Sequence, residues 1–458
     1  MQLDDRAAAL DIAASPPVAL VQLPFPSQAS PLPELSAYYA AYDRKYRQHF
    51  PEYAVNSGDL WEAPLWIAHL DGALARDDTT FVDLSKAPFS AEACIRDIVE
   101  QVPPKALVFL SPLAQNLGLA AQVSRGLMPL GYRTIVGGNM SELAPREDFD
   151  TVHSGLLTPE LYWDLVSGGA PRSAAPLKLG KQPKPLGYSP SYRLLADFSK
   201  RVPLVRLNAS HGCLLACAFC GDAWSRQLHL VDRARLQEEV AELRRVFPHT
   251  RLVYLGDKTF GQSEAAVANL RHVIRPEYGF RLIVQTHVTV VTAKLIETML
   301  ALGVEVVELG FETASSTVLG ELRKFGGAQR YREVIGALHA SGLRVILNVL
   351  GGLPNETEES QARTLEFLDA ASEHVWLYNL YNFVPYPKTP LFPTLKERIV
   401  DWDFQNWRED RPVVYEPYHQ SRERSWAHFL RIVERATELL ERTECPRPAS
   451  RNQVGGRL

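Results

Sequence analysis

His211-Gly-Cys213-Leu-Leu-Ala-Cys217-Ala-Phe-Cys220-Gly221 places three cysteines at Cys-x3-Cys-x2-Cys spacing, in a chain of 458 residues that holds only five. A compact run of thiols with almost none elsewhere is what a metal or cluster site looks like in a reducing compartment. Thiolates are the soft ligands that iron–sulfur clusters select, and a cubane cluster held by three of them keeps one iron open to an outside ligand. Two plainer readings compete. Positions 213, 217 and 220 are also spaced i, i+4, i+7, one stripe of a buried helix in which cysteine acts as a small hydrophobe. A structural zinc site closes with four protein ligands at short local spacing, whereas here His211 is the only near neighbour and Cys94 and Cys445 are remote. Gly212 and Gly221 argue against a helix through the stripe and for a loop wrapped around a ligand.

The run resembles the signature of the radical SAM (S-adenosylmethionine) superfamily, Cys-x3-Cys-x-aromatic-Cys, with Phe219 at the aromatic place. The resemblance implies that Cys213, Cys217 and Cys220 hold a 4Fe–4S cluster and that the amino and carboxylate groups of SAM chelate its open iron. It also implies cleavage of SAM to a 5′-deoxyadenosyl radical. Downstream residues extend the likeness over roughly 200 to 392. Leu255-Gly256-Asp257-Lys-Thr-Phe260 resembles the strand end whose aspartate faces the SAM amino group, and Leu309-Gly-Phe-Glu312-Thr the element whose glutamate contacts the ribose. Gln285 and Asn348, on other strands of the set, join Phe219 and Gly256 as implied SAM contacts, and Lys324 sits where many members carry a lysine. Gly351-Gly-Leu-Pro-Asn-Glu356-Thr-Glu-Glu-Ser360 and Asn382-Phe-Val-Pro-Tyr-Pro387-Lys-Thr-Pro-Leu391 are close to family elements typical of its cobalamin-linked branch, with Lys388 in place of a glycine. The plain alternatives are strand-end caps or ion-pair partners for Asp257 and Glu312, and core packing for Trp376, Tyr378, Tyr381 and Tyr386.

Elements around these motifs alternate. Pro203–Leu207, Arg251–Leu255, Phe280–Thr286, Val304–Gly310, Arg344–Leu350 and Val375–Val384 read as strands, separated by helices at Arg233–Phe247, Ala265–Ile274, Ala293–Leu302, Tyr331–Ser341 and Glu359–Ala371. Six β/α units predict a partial TIM-type barrel with its chemistry at the carboxyl ends of the strands. Before it, Val18–Leu23, Thr80–Leu84, Ala106–Leu110, Thr134–Gly138 and Thr151–His153 read as short strands, with helices at Ala91–Gln101 and near Gly118–Leu130. That pattern predicts a doubly wound parallel sheet whose ligand lies at Pro24–Gln28, Ser111–Leu113, Gly137–Asn139 and Ser154–Gly155.

This first domain resembles the cobalamin-binding domain found before many radical SAM barrels. The resemblance assigns Ser111 and Leu113 to the lining of the nucleotide tail and Gly137-Gly138 to its close approach, with Asn139 and Gly155 completing the cradle. The Asp-x-His-x-x-Gly whose histidine takes the lower axial position on cobalt is absent; the loop after the first strand reads Pro24-Phe-Pro-Ser-Gln28. A sheet that kept the fold and lost the cofactor is the alternative.

The expected fold is α/β: an N-terminal doubly wound, Rossmann-like domain at 1–166, a linker at 167–200, a partial (β/α)6 radical SAM barrel at 201–392, and a mainly helical extension at 393–458. The linker reading rests on its Gly, Pro, Ser and Lys content, and the extension on an amphipathic helix at Ser425–Arg442. Forty-nine basic and 53 acidic residues give a formal charge of −4, so no basic field points to nucleic acid. Polar and charged residues interrupt the most apolar stretch, Phe280–Phe311, no segment reads as a secretory signal or membrane span, and a cytoplasmic location is expected.

The resemblance implies a cobalamin-dependent radical SAM methyltransferase acting on an unactivated carbon or phosphorus of a small, natural-product-type molecule. One SAM would methylate cobalamin and a second would generate the radical, with an electron donor such as flavodoxin or ferredoxin. The competing expectations are a radical rearrangement, cyclisation or group transfer (aminocarboxypropyl transfer among them), with cobalamin bound but not methylating or absent, and a redox- or corrinoid-sensing module without turnover. No residue stands out as the catalytic acid or base.

Overall fold

The computed structural model describes residues 16–26, 32–51, 62–138, 140–153, 188–221 and 228–442. The chain divides into two compact units: Met1–Gln28, Asn56–Arg201 and Ala241–Pro248 in one, and Ala29–Val55, Val202–Val240 and His249–Leu458 in the other.

The first unit is built on five short parallel strands, β1 (Val18–Gln22), β2 (Thr79–Asp83), β3 (Leu107–Leu110), β4 (Arg133–Val136) and β5 (Thr151–Val152). Their spatial order is β2-β1-β3-β4-β5. Every residue of β1 and β3 is buried, the signature of a parallel sheet covered on both faces. The chain runs outward from β1 in both directions, so a topological switch point lies between β1 and β3, where such sheets open a ligand crevice. Helices Leu65–Leu74, Ala91–Gln101 and Ala114–Leu127 supply the connections. The second begins where the Ser90 side chain accepts from the Ala93 N–H, relieving one orphan donor of the first turn.

In the second unit β6 (Leu204–Leu207), β9 (Leu252–Leu255), β10 (Arg281–Thr286), β11 (Val304–Glu312), β12 (Arg344–Gly351) and β13 (Leu377–Asn382) form one sheet in the order β13-β12-β11-β10-β9-β6. All pairings are parallel, and each strand lies beside its neighbour in sequence, as a partial barrel requires. Side-chain caps at Ser263, Thr292 and Thr357, the last with a full capping box, start three of the intervening helices. A two-stranded antiparallel ribbon, β7 (Ser210–Gly212) with β8 (Leu228–Leu230), has no counterpart in the expected elements.

Helix Ser36–His49, also outside those elements, belongs to the barrel unit although it precedes most of the first sheet in sequence. It packs on the open edge strand β13. The Tyr38 hydroxyl donates to the Tyr378 carbonyl at 2.5 Å and accepts from the Leu380 N–H at 3.3 Å, so one phenol satisfies two edge groups. Helix Arg422–Arg442 lies against this helix, against Glu358–Ala371 and against β12 and β13, which places the C-terminal extension in the barrel unit. Much of the expected 167–200 linker lies outside the described residues. Its end differs from the expectation: Arg193–Lys200 is a 3₁₀ helix with Leu195 and Phe198 buried, because its apolar side chains have a core to enter. No helix among the described residues is long and apolar enough to cross a membrane.

Candidate cluster and cofactor sites

The cysteine run leaves the carboxyl end of β6, the end at which barrels carry their chemistry. It is pinned at its base, because β7 pairs antiparallel with β8 and sets His211 opposite His229. Asp257, just after β9, ties the loop's entry: its carboxylate accepts the Ala209 N–H at 3.0 Å and the Ser210 hydroxyl. Burial pushes the Asp257 carboxyl up to about 6 against the pull of those hydrogen bonds. Gln262 clamps the next turn, accepting from the Leu214 N–H at 3.0 Å and donating to the Gly212 carbonyl at 3.3 Å. Ala218 donates to the Leu322 carbonyl at 2.7 Å and accepts from the Leu391 N–H at 3.1 Å. A loop held at so many backbone points keeps its side chains directed without help from regular structure.

Cys213 is buried, and Cys217 and Cys220 are half-buried; none is in a disulfide. The Cys213 sulfur lies 3.4 Å from the Thr259 hydroxyl and accepts from the Leu215 N–H at the same distance. Burial pushes the Cys217 thiol up, Lys324 draws it down and Glu312 raises it, so all three side chains share one neighbourhood. Among the described residues no three His, Cys, Asp or Glu converge closely enough to hold a single metal ion. The donor set fits a cluster on its chemistry: three soft thiolates on a clamped loop, with no converged group of three or more possible metal ligands among the described residues.

Opposite this loop stands a buried ion pair. Lys324 Nζ lies 2.7 Å from Glu312 Oε1, with side chains only 5% and 7% exposed. Burial alone would lower the Lys324 ammonium, but Glu312 beside it more than offsets that and holds it above the ordinary range. Lys324 Nζ also sits 5.6 Å from the centre of the Phe219 ring, which joins the pair to the cysteine motif. Glu312 has φ of 67°, left-handed backbone at a register shift in the β11–β12 pairing. Such backbone costs a non-glycine residue about 1–3 kcal/mol and concentrates at functional sites. Gly310 makes room for the pair, since a Cβ there would meet Glu312 Oε1 and Lys324 Nζ, each at 2.8 Å.

Other expected contacts fall elsewhere. Gly256 must be glycine because a Cβ would lie 2.1 Å from Asn208 Oδ1 and 2.8 Å from Arg206 Cγ. Asn208 Oδ1 is itself buried with no hydrogen-bond partner. Gln285 and Asn348 belong to interior polar sets. Tyr254 donates to Glu308 at 2.9 Å with Gln285 Oε1 3.3 Å from its hydroxyl, while Asn379 bridges Asn348 at 2.9 Å and Tyr42 at 2.8 Å. Trp376 and Tyr378 are core residues, whereas Tyr381 is 38% exposed. Asn208 and His287 escaped the sequence reading: lone polar residues at strand ends carry no spacing signal.

In the first unit the loops after β1 and β3 lie at the switch point and are tied together by Asn116, which donates to the Pro24 carbonyl at 3.2 Å. Gly137 continues the ladder, donating to the Leu110 carbonyl at 2.9 Å, and a Cβ added to it would meet nothing within 4 Å. Gly138 has φ of 87°, and a Cβ there would press on Ser111 Oγ at 2.9 Å. Leu113 is 51% exposed at the same rim. A glycine pair beside a small hydroxyl and an exposed apolar side chain fits a flat, partly apolar ligand lying close to the backbone. Gln28, Asn139, Ser154 and Gly155 lie outside the described residues.

The chain is similar to known proteins over parts of its length. The chain is 22% identical over 220 residues to the anaerobic magnesium-protoporphyrin IX monomethyl ester cyclase of Rubrivivax gelatinosus, covering 47% of this chain and 39% of that protein. It is 38% identical over 66 residues to the ribosomal protein uS12 methylthiotransferase RimO of Acidothermus cellulolyticus, 14% of either chain. The matched region thus spans well under half of either curated relative. Among solved structures, the radical S-adenosylmethionine methyltransferase TsrM of Kitasatospora setae, with tryptophan and a SAM analogue bound, superposes with a TM-score of 0.58 at 14% identity, covering 83% of this chain and 76% of that one. The cobalamin-dependent S-adenosylmethionine radical enzyme OxsB with aqua-cobalamin bound gives 0.58 at 14% identity, covering 93% and 62%. These similarities show a shared fold. Residues 207–368, the part of the barrel unit that carries the three cysteines, match the radical SAM superfamily.

Proposed function

We propose that the protein is a cobalamin-dependent radical SAM methyltransferase acting on an unactivated carbon, or phosphorus, of a small molecule. The observation that carries the reading is the meeting of the Cys213–Cys220 loop with the buried Lys324–Glu312 pair: three thiols for a cluster, beside a charged pair suited to a zwitterionic ligand. When bound, a 4Fe–4S cluster and SAM supply a carbon-centred hydrogen abstractor, and cobalamin supplies a transferable methyl group. The chain's own part is to hold and orient them. Cys213, Cys217 and Cys220 would ligate the cluster, and Phe219, Glu312 and Lys324 would bound the SAM position, while Asp257 and Gln262 keep the loop in place. Gly137, Gly138, Ser111 and Leu113 would receive the corrinoid nucleotide.

The fold of TsrM and OxsB, both cobalamin or SAM radical enzymes by description, supports assigning cobalamin to the first unit. The strand order and the glycine-lined crevice there support it independently. An electron donor such as flavodoxin or ferredoxin and a small-molecule substrate complete the proposal.

The test uses the full chain reconstituted anaerobically. About four irons per chain, corrinoid co-eluting through gel filtration, and 5′-deoxyadenosine on reduction with SAM are the expected results. A product heavier by one methylene unit would mark methylation. An isomer, or a product that has lost hydrogens, would sink the methyltransferase reading, and a chain that retains no iron would sink the whole proposal.

A further inference from the structure

One face of the barrel sheet is polar from edge to edge. Strand register sets Arg206 beside Tyr254, Gln285 beside Glu308, Gly310 beside Asn348 and Asn348 beside Asn379. Ile283, the register partner of Tyr254, stands two residues before Gln285; Glu308 and Gly310 are also two apart, as are Asn379 and Tyr381. Side chains two apart on a strand point the same way, so all of these share one face. Arg206, Gln285, Glu308 and Asn348 are half-buried and Tyr381 is 38% exposed, in strands whose other residues are nearly all buried. The interior of a closed barrel is filled by branched apolar side chains, whereas a polar, partly accessible face leaves room for a ligand. Gly310 joins this face to the cluster side, since its Cβ direction meets Glu312 Oε1 and Lys324 Nζ at 2.8 Å.

The charge on this face is arranged by its phenols. The Tyr254 hydroxyl donates to Glu308 Oε2 at 2.9 Å. An ionised carboxylate accepts at about four lone-pair positions, so the phenol orients Glu308 without exhausting it. A second carboxylate arrives at the β13 edge: the Glu409 carbonyl accepts the Asn382 N–H at 2.7 Å, one residue beyond Tyr381, and Tyr386 donates to Glu409 Oε1 at 2.9 Å. Although Tyr381 is 38% exposed, burial is the largest influence raising its phenol, followed by Glu308 and Glu409. Its open surface therefore lies in a recess that both carboxylates reach. Of the neighbouring cations, Arg408 and Arg411 meet Asp410 at 2.6 and 3.2 Å, and Arg206 lies across the Tyr254 ring at 4.3 Å on the opposite edge strand.

We infer that this face receives the substrate and that the substrate is a small molecule carrying a protonated amine, bound by Glu308 and laid against the Tyr381 ring. An ammonium donates charge-assisted hydrogen bonds to a carboxylate, and the face of a phenol ring attracts the same cation. A purely hydrocarbon substrate would strip water from Glu308, Gln285 and Asn348 and give them nothing in return, so the face selects against it. With its amine held there, the rest of the molecule extends past Gly310 toward the Lys324–Glu312 pair. This substrate class rests on the radical SAM reading of the barrel and makes it more specific.

The probe is phenethylamine, with 2-phenylethanol and 3-phenylpropionate as its neutral and anionic counterparts. Each is titrated calorimetrically into full-length, anaerobically reconstituted protein with SAM present and no reductant. Wild type is expected to bind phenethylamine at least about tenfold more tightly than either counterpart, about 1.4 kcal/mol. Glu308→Gln keeps an acceptor for the Tyr254 hydroxyl and should abolish that preference. E308Q should also keep the iron content of the wild type and its SAM affinity in equilibrium dialysis, which separates a substrate contact from a cofactor contact or a folding defect. Tighter binding of 3-phenylpropionate, equal or no binding of the three probes, a preference that survives in E308Q, or loss of SAM or iron from E308Q would each overturn the inference. A wild-type chain that holds iron and SAM and gives any of those results leaves the radical SAM reading standing. A wild-type chain that retains no iron overturns that reading, and the inference with it.

Discussion

Replacing Lys324 with methionine removes the partner of a carboxylate that has almost no access to water. The cost follows from the geometry. Nζ and Oε1 are 2.7 Å apart and the side chains are 5% and 7% exposed. At an effective dielectric near 20, Coulomb's law gives an attraction of about 6 kcal/mol at that distance. Desolvation of the two ions cancels most of it, so the intact pair contributes little net stability. The single substitution is a different matter, because it leaves the Glu312 charge buried and alone at about 3–5 kcal/mol. For a unit of this size that is a drop in Tm of roughly 10 °C. Restoring neutrality should undo much of the damage: Lys324→Met with Glu312→Gln is expected to recover about 2 kcal/mol of stability over K324M alone. The recovered protein should still bind SAM poorly, since both members of the pair bound its proposed site. The assay is urea unfolding of wild type, both single variants and the double variant, with SAM dialysis on the same samples. A loss below about 1 kcal/mol in K324M, or a double variant as unstable as K324M, would refute the argument from a desolvated charge pair.

Three further outcomes follow from the geometry of the two units. Asp257→Ala leaves the Ala209 N–H and Ser210 hydroxyl without their acceptor and should cost about 2–4 kcal/mol of loop anchoring, read as at least half the iron lost through gel filtration; full retention would refute the anchoring role. Gly138→Ala meets both a φ of 87° and Ser111 Oγ at 2.9 Å, so it should lower the Tm and corrinoid retention with iron unchanged, whereas Gly137→Ala, with nothing within 4 Å, should fold normally and lose corrinoid alone. Burial pushes the Glu356 carboxyl from 4.5 up to about 7, so the folded chain keeps a proton that the unfolded chain releases. Stability should therefore fall by up to about 3 kcal/mol as pH rises through that window and level off above it, and Glu356→Gln should remove the slope in pH-dependent urea midpoints.

How far the sequence reveals such a molecule depends on whether the relevant partner is local. Strands such as Leu107–Leu110 and Leu252–Leu255 are buried on both faces, and a short unbroken apolar run is all that requires. Both parallel sheets were legible for that reason, and most of the helices between their strands were legible from the alternation, although Leu65–Leu74 was not. Helix Ser36–His49 did not. Its buried face includes Tyr38 and Tyr46, amphipathic residues whose burial is decided by β13, about 340 positions along the chain. The same distinction runs through the site. The Cys213–Cys220 spacing names a ligand set because all its members lie on one loop. Glu312 was visible as a residue type, but not its left-handed backbone, which falls at the register shift between β11 and β12, nor its pairing with Lys324. Asp257 was expected to face a ligand, and its placement against Ala209 and Ser210 depends on β6 and β9 being neighbours in the sheet. Spacing reports which chemistry a chain can perform, while the residues that tune it are those whose partners arrive only through the fold.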